Sequence, residues 1–179
     1  MGIDAVTLGD NPPHDVNVVI EIPVEGGPVK YEFNKESGVI QVDRFLEASM
    51  RYPGNYGFIP RTLSEDGDAL DVLVCTAKSV FPGTVMSCRP IGLLNMEDEA
   101  GVDIKIISVP SAKLSREYDN LHEISDLPKT LIQQVQHFFE HYKDLEPGKW
   151  VKVKDWSGRE EAHKVISEAV NRYDSSRSV

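Results

Sequence analysis

The sequence predicts an α+β protein, and two patterns support that prediction. In the first two thirds of the chain, short runs rich in Val, Ile, Tyr and Phe are separated by Gly, Pro, Asn and Asp, which is typical of β-structure. In the last third, apolar residues recur with helical spacing. Strands followed by helices indicate a sheet or barrel that comes first in the chain. Because 179 residues suit one domain with a substantial core, we assign residues 1–179 to a single domain.

Seven segments have the composition of strands. Each is bounded by turn-forming residues, and several alternate between apolar and polar side chains. In chain order they are VNVVIEIP, VKYEFN, IQVDRFL, NYGFIPRTL, ALDVLVCT, VMSCRPIGLLNM and VDIKIISVP. We expect them to form an antiparallel sheet or barrel.

The first predicted helix has apolar residues from Leu131 to Tyr142 at positions i, i+1, i+4, i+7, i+8 and i+11. Asp126 and Pro128 favour a helix start just before this stripe, and Pro147-Gly148 favours its end. On periodicity alone, Tyr142 belongs to the buried stripe.

A second helix is expected to begin at a capping box, in which Ser157 is followed by Glu160 three residues later. The apolar stripe of this helix continues from Ala162 to Tyr173. The chain is therefore expected to end in two main helices.

The composition excludes several classes of function. Asp and Glu number 29 against 19 Lys and Arg, so the formal net charge is −10, which is unsuitable for general nucleic-acid binding. No apolar run approaches the length of a membrane span, and no signal peptide is visible. Cys75 and Cys88 lack metal-site spacing. A cytoplasmic protein that contacts neither nucleic acid nor membrane is expected.

Three aspartates crowd the start of one predicted strand. Asp66, Asp68 and Asp71 fall within six residues in EDGDALDVLV. Since carboxylates repel one another, such a cluster suggests either bound cations or a simple Asx turn at Asp66-Gly67-Asp68. The spacing does not fit an EF-hand loop, which needs Gly at its sixth position and Glu at its twelfth.

The donor types favour magnesium over zinc. Zinc usually takes His and Cys ligands, and we find no histidine pair with zinc-ligand spacing, although His137 and His141 share an i, i+4 face. Carboxylate ligands suit Mg²⁺ or Mn²⁺, and Mg²⁺ is often shared between protein carboxylates and substrate phosphates. A site for several Mg²⁺ ions and a polyanion is therefore the favoured interpretation.

Alternation along the strands places further charges together. Lys30 and Glu32 share one strand face, and Asp103 and Lys105 share another, since residues two apart lie on the same side. A solvated outer face is the usual meaning of such alternation. The mixture of acids and lysines on one face also suits a site for metal ions and phosphate.

These segments resemble those of the soluble family I inorganic pyrophosphatases. DGDALDVLV is similar to the family's metal-binding motif, and similar segments follow in order, including VVIEIPVEGGPVKYEFNKESG, VDRFLEASMRYPGNYGFIPRTL and HFFEHYKDLEPGKWVKV. The chain departs from the family at Ala69, where Pro or Glu is usual. The resemblance implies a small closed OB-like antiparallel β-barrel flanked by two main C-terminal helices.

The resemblance also implies an activity and a set of site residues. The activity is Mg²⁺-dependent hydrolysis of inorganic pyrophosphate by an activated water, without a covalent intermediate. Asp68 would be the catalytic base. The metal ligands would be Asp66, Asp71, Asp103, Asp98, Glu32 and Glu21. The substrate-binding residues would be Lys30, Arg44, Tyr56, Lys105, Tyr142 and Lys143, with Tyr52 nearby.

Several alternatives stay open at the level of sequence. Mn²⁺ or Zn²⁺ could replace Mg²⁺, and the substrate could be an organic pyrophosphate. A small barrel with aromatics and lysines on one face could also bind oligonucleotides, although the acidic face argues against this. The resemblance further implies a homohexamer.

Overall fold

The computed structural model describes residues 5–177, which form an α+β fold as predicted. Its strands are β1 (Val16–Ile22), β2 (Val29–Asn34), β3 (Val39–Phe45), β4 (Asn55–Phe58), β5 (Asp71–Val74), β6 (Val85–Asp98), β7 (Gly101–Pro110) and β8 (Val151–Gly158). Its α-helices are α1 (Lys129–His141) and α2 (Arg159–Ser176). Over these described residues, no helix is both long and apolar enough to cross a membrane.

Six strands form one mixed sheet in the order β1-β4-β5-β7-β6-β8, and β1 pairs with β6 as well as with β4. β2 and β3 form a separate antiparallel hairpin. Within the large sheet, β5 and β7 run parallel, so the prediction of antiparallel strands is wrong for this pair. The physical reason is that β7 returns from an antiparallel pairing with β6 and inserts beside β5 in the same direction.

Helix α1 begins at Lys129, directly after Pro128, close to its predicted start. It ends at His141, before the predicted end at Pro147-Gly148. Asp126 does not cap α1, because its carboxylate accepts two backbone hydrogen bonds within the preceding 3₁₀ turn. The sequence thus located the helix and its start near Pro128 correctly, but Asp126 is not its cap and Pro147-Gly148 is not its end.

The predicted capping box of the second helix is wrong. Ser157 lies in β8, where it stands opposite Leu93 of β6, and α2 begins at Arg159 after Gly158 without a side-chain cap. Strand β8 itself was not predicted. Pairing with a long neighbouring strand determines the conformation of this segment, and a local sequence signal cannot reveal such a partner.

Buried side chains form two clusters on opposite sides of the sheet. Val72 belongs to the cluster that contacts α2, and the next residue, Leu73, belongs to the cluster that contacts α1. In β1, an irregularity in register between Ile20 and Ile22 moves Ile22 from the first cluster to the second. Because both faces of β5 are covered, charged groups on this strand can reach solvent only at its end.

Gly57 permits close contact between β4 and β1. A Cβ atom at this position would lie 1.9 Å from the carbonyl oxygen of Val19 and 2.8 Å from its carbonyl carbon. Backbone atoms cannot move aside as a flexible side chain can. The glycine therefore allows the pairing that holds its neighbour, Tyr56, in place.

We expect Gly57→Ala to destabilise the protein by at least about 2–3 kcal/mol, because the methyl group forces the two strands apart. For a chain of this size, that lowers the melting temperature by roughly 5–10 °C. Gly27→Ala is the matched control, since nothing lies within 4 Å of a Cβ at that position. Equal melting temperatures for the two variants by circular dichroism would contradict this account.

Candidate active site

A cavity of about 200 Å³ brings most of the predicted site residues together. Its lining contains five aspartates, four basic side chains and two tyrosines, together with Ala100 and Val102. The aspartates, basic residues and tyrosines are Asp66, Asp68, Asp71, Asp98, Asp103, Lys30, Arg44, Lys105, Lys143, Tyr56 and Tyr142. Residues from six strands, from the turn before β5 and from the segment after α1 thus converge on one mixed-charge cavity.

The two remaining predicted residues, Glu21 and Glu32, line an adjoining cavity of about 210 Å³ that shares several walls with the first. Glu21 is buried, and its Oε1 accepts a hydrogen bond of 2.8 Å from the backbone N–H of Phe33. Burial raises the pKa of Glu21 to about 7, and the nearby Asp71 carboxylate adds to the effect. Tyr52 lines neither cavity and is 1% exposed in the core.

A tight turn explains how three acids of one segment converge. Gly67 has a φ of +93°, and the backbone N–H of Asp68 donates to Oδ1 of Asp66 at 3.0 Å. Ser64 closes the turn by donating its N–H to the carbonyl oxygen of Asp68 at 2.7 Å. The Asx turn and the shared cavity therefore coexist, so the two interpretations of the cluster do not exclude each other.

Lys105 is buried between two acids. Its Nζ lies 2.6 Å from Oδ2 of Asp71 and 2.7 Å from Oδ1 of Asp103, and its side chain is 5% exposed. Burial alone would lower the pKa of Lys105, but Asp71, Tyr56 and Asp103 outweigh it and raise this pKa well above its usual value. Lys105 is therefore a permanently charged ammonium group.

The charged form of Asp103 remains disfavoured despite its contact with Lys105. Burial raises its pKa, and repulsion from Asp71 and Asp98 adds to the increase, while Lys105 opposes it. One lysine therefore does not fully compensate the acids around it. A further cation at this position would be stabilised by the same carboxylates.

Lys143 and Tyr142 enter the cavity directly after α1. Nζ of Lys143 lies 2.7 Å from Oδ2 of Asp98 and 5.6 Å from the centre of the Tyr142 ring. The Tyr142 ring packs 5.2 Å from that of Phe138, so the residue is part of the core and also lines the cavity. The periodicity-based assignment of Tyr142 to the core is confirmed and is compatible with a position at the site.

Acids at the cavity edge hold the other basic groups. Asp43 lies 3.0 Å from Nζ of Lys30 and 3.5 Å from Nε of Arg44. Glu146 lies 3.0 Å from Nη1 of Arg44 and is largely buried. These contacts restrict where the Lys30 and Arg44 side chains can point.

Sequence reasoning missed several of these partners. Glu99 lies 3.7 Å from Nζ of Lys143 and also pairs with Lys149. The pKa of Glu99 is lowered to about 2, because hydrogen bonding and positive charge outweigh the effect of burial. Lys35 lies 3.2 Å from Oδ1 of Asp68. Because each partner lies in another segment, the only sequence signal for such pairs is the alternation of acids and lysines on β2.

The donors present fit a group of hard divalent cations. The acidic side chains around the two cavities offer carboxylate oxygens, and neither histidine nor cysteine lines either cavity. Burial, together with repulsion from neighbouring carboxylates, raises the pKa values of Glu21 and Asp103, and a divalent cation would stabilise their charged forms. Carboxylate oxygens are the donors that Mg²⁺, Mn²⁺ and Ca²⁺ prefer.

The basic residues that lie among these acids suit an anion with several charges. Lys105 and Lys143 are buried ammonium groups, and Arg44 presents a planar fork of donors. Low exposure strengthens each of these interactions relative to water. The arrangement can therefore bind cations and a polyanion side by side.

Comparisons with known proteins agree with this geometry. Residues 18–174 match the family model described as inorganic pyrophosphatase. An inorganic pyrophosphatase of Bradyrhizobium diazoefficiens is 60% identical, covering 96% of this chain and 97% of the relative. The inorganic pyrophosphatase structure from Coxiella burnetii has a TM-score of 0.91 at 50% identity, covering 94% of this chain and 99% of the other. That from Thermus thermophilus has a TM-score of 0.92 at 43% identity, with 97% and 99% covered. The chain therefore belongs to the inorganic pyrophosphatase family.

Proposed function

We propose that this protein hydrolyses inorganic pyrophosphate to two phosphates in a metal-dependent reaction at the mixed-charge cavity. The observation that supports this most directly is that five aspartates and four basic groups line one cavity. Pyrophosphate is compact and carries several charges, so it can contact cations and basic side chains at the same time. An organic pyrophosphate would need additional room for its substituent.

We assign Mg²⁺ as the resident cation, with several ions at each site. Asp66, Asp71 and Asp103 would hold the first ion, and Asp98, Glu32 and Glu21 would hold or support those that arrive with substrate. When bound, the ions would neutralise phosphate charge and lower the pKa of water in the cavity. Mg²⁺ keeps part of its water shell and is shared with phosphates, in agreement with an open acidic cavity.

The basic residues and tyrosines would orient the substrate. Lys105 and Lys143 are fixed by their aspartate partners, so their charges need little reorganisation during the reaction. Arg44 is held by Glu146 and can donate two parallel hydrogen bonds to one phosphate group. Lys30, Tyr56 and Tyr142 supply further donors at the walls. These groups would stabilise negative charge as it moves onto the leaving phosphate.

Asp68 would act as the general base. Its side chain is 81% exposed and lies at the mouth of the cavity, where a water molecule can reach it. The carboxylate would accept a proton as the water oxygen bonds to phosphorus and the bridging P–O bond breaks. The other phosphate would leave with the bonding electron pair, so no side chain needs to become phosphorylated.

We infer from the pairings that the strands close into an OB-like barrel. β1 pairs with β4 on one side and with β6 on the other, so the pairings β1-β4-β5-β7-β6 return to β1. Both core clusters draw on these shared strands, which supports treating residues 1–179 as one domain. Cys75 and Cys88 are free and buried, in keeping with a cytoplasmic location.

We further propose a homohexamer. Phe81 and Phe45 are 85% and 69% exposed, and aromatic side chains are enriched at protein–protein interfaces. We expect sedimentation equilibrium to give six times the 20.0 kDa chain mass. A monomeric or dimeric mass at micromolar concentration would contradict this assembly without affecting the proposed reaction.

A panel of substrates and metals tests the proposed reaction. We expect phosphate release from pyrophosphate with Mg²⁺, little release from ATP or ADP, and none when EDTA removes the metal. Mn²⁺ and Zn²⁺ in place of Mg²⁺ define which ions the carboxylates accept. Faster hydrolysis of the nucleotides would favour an organic pyrophosphatase, and tight single-stranded DNA binding without hydrolysis would favour an oligonucleotide-binding module.

Asp68→Asn tests the general base. The amide cannot accept the proton, so we expect kcat to fall by about 10²–10⁴-fold while the fold is retained. Glu65→Gln is the matched control, because Glu65 is an exposed acid in the same turn and does not line the mixed-charge cavity. Comparable kcat values for the two variants in a phosphate-release assay would rule out this role for Asp68.

A further inference from the structure

The three carboxylates that we assign to the first ion differ in how firmly the fold holds them. Asp71 begins β5, Asp103 lies in β7, and both contact the buried Nζ of Lys105. Asp66 lies instead in an exposed turn of the loop between β4 and β5. Its hydrogen bond with the N–H of Asp68 shapes the turn but does not connect it to the rest of the fold. The position of Asp66 relative to the other two therefore depends on what anchors this loop.

Helix α2 anchors the loop at Leu63, shortly before the acidic turn. The N–H of Leu63 donates to the carbonyl oxygen of Ala169 at 3.0 Å. The carbonyl oxygen of Leu63 accepts a hydrogen bond of 2.8 Å from Nε of Arg172. The next residue, Ser64, donates its N–H to the carbonyl oxygen of Asp68 and closes the turn. Hydrogen bonds therefore connect α2 to the acidic turn through two adjacent residues.

The base of the loop is held by a different residue. Oγ1 of the buried Thr62 donates to the carbonyl oxygen of Ile59 at 2.6 Å and accepts from the N–H of Leu70 at 2.9 Å. These contacts join the two ends of the loop to each other, whereas α2 holds the part of the loop that leads into the turn. Arg172 makes its contact through a side chain, so a substitution can remove that contact while the helix backbone stays in place.

Arg172 also borders the predicted ligands. A cavity of about 50 Å³ lies between α2 and the loop, and Arg172 lines it together with Asp66, Asp71 and Asp103. The same three aspartates also line the mixed-charge cavity. A permanent positive charge beside these carboxylates would by itself oppose the binding of a cation. The hydrogen bond that Arg172 donates, and not its charge, is therefore the contribution that favours a metal site.

We propose that Arg172 is a positioning residue for the first metal ion. By holding the carbonyl group of Leu63, it fixes the acidic turn where Asp66 can bind the same ion as Asp71 and Asp103. Residues that orient metal ligands in this way affect metal affinity without contacting the ion. The proposal rests on the metal-dependent function proposed above, because it concerns the arrangement of the ligands assigned there.

Two substitutions separate the hydrogen bond from the charge. Arg172→Met removes the donor and the charge but keeps an unbranched side chain. Arg172→Gln also removes the charge, but its amide nitrogen occupies the position of Nε along the side chain and can still donate to Leu63. Loss of charge alone would tighten cation binding in both variants, whereas loss of the hydrogen bond would weaken it in Arg172→Met only. Arg159→Gln is the matched control, since Arg159 begins the same helix and pairs with Glu123.

Titration of the metal-free, full-length protein with Mn²⁺, followed by the electron paramagnetic resonance signal of the free ion, measures binding without substrate. We expect Arg172→Met to weaken the tightest Mn²⁺ binding by about 10-fold. Arg172→Gln and Arg159→Gln should bind at least as tightly as the wild type. In phosphate-release assays, Arg172→Met should raise the Mg²⁺ concentration needed for half-maximal rate by a similar factor while kcat at saturating Mg²⁺ is retained. A contact that only stabilised the fold would lower the melting temperature and leave both quantities unchanged.

Mn²⁺ affinity in Arg172→Met that equals or exceeds the wild-type value would overturn the proposal. Equal weakening in Arg172→Gln would also overturn it, because the donor would then not be the cause. A wild-type protein that binds no Mn²⁺ would contradict the proposed metal site itself, and the positioning role with it. Melting temperatures of the metal-free variants establish folding. Arg172→Ala, which also lacks the donor and suits a helix, is the second variant and should show the same weakening.

Discussion

The contact on which the site depends is the buried ammonium group of Lys105 between Asp71 and Asp103. An isolated charge of this kind would be strongly disfavoured in the core, and its two carboxylate partners offset that cost. The same contact keeps two acids close together without an ion. It therefore maintains a concentrated negative charge at the position where we propose that cations bind, and it places one fixed positive charge beside it.

The parallel pairing of β5 with β7 makes this contact possible. Val72 stands opposite Ile106, which brings the preceding residues, Asp71 and Lys105, side by side at the open end of β5. Asp103 lies two residues before Lys105 and so shares its strand face. A purely antiparallel order, as the sequence suggested, would not give this register. Among the described strands, this parallel pair is the one exception to antiparallel pairing, and it assembles the buried charges.

Strand parity and one compact acidic turn pointed to part of the site, and the resemblance to the family supplied the other residues, among them Arg44 and Lys143. The pairs Lys30 with Glu32 and Asp103 with Lys105 needed only alternation. The features that could not be predicted depend on contacts between distant segments. Strand β8 forms because β6 is long enough to pair with it. Glu146 restricts the Arg44 side chain because the two are in contact. Local propensity contains no information about either partner, so these features required the three-dimensional structure.

The exposure of the acidic side chains decreases from the acidic turn toward the core. Asp68 is 81% exposed, Asp71 is 32% exposed and Asp103 is 14% exposed. Water stabilises the outer carboxylate, so it needs only a loose contact with Lys35, whereas the inner acids require a buried lysine. Gly67, with its positive φ, turns the chain between the two exposed acids, Asp66 and Asp68. Ala69 leaves the turn intact, since Gly67 and the Asx contact, rather than a proline, determine its direction.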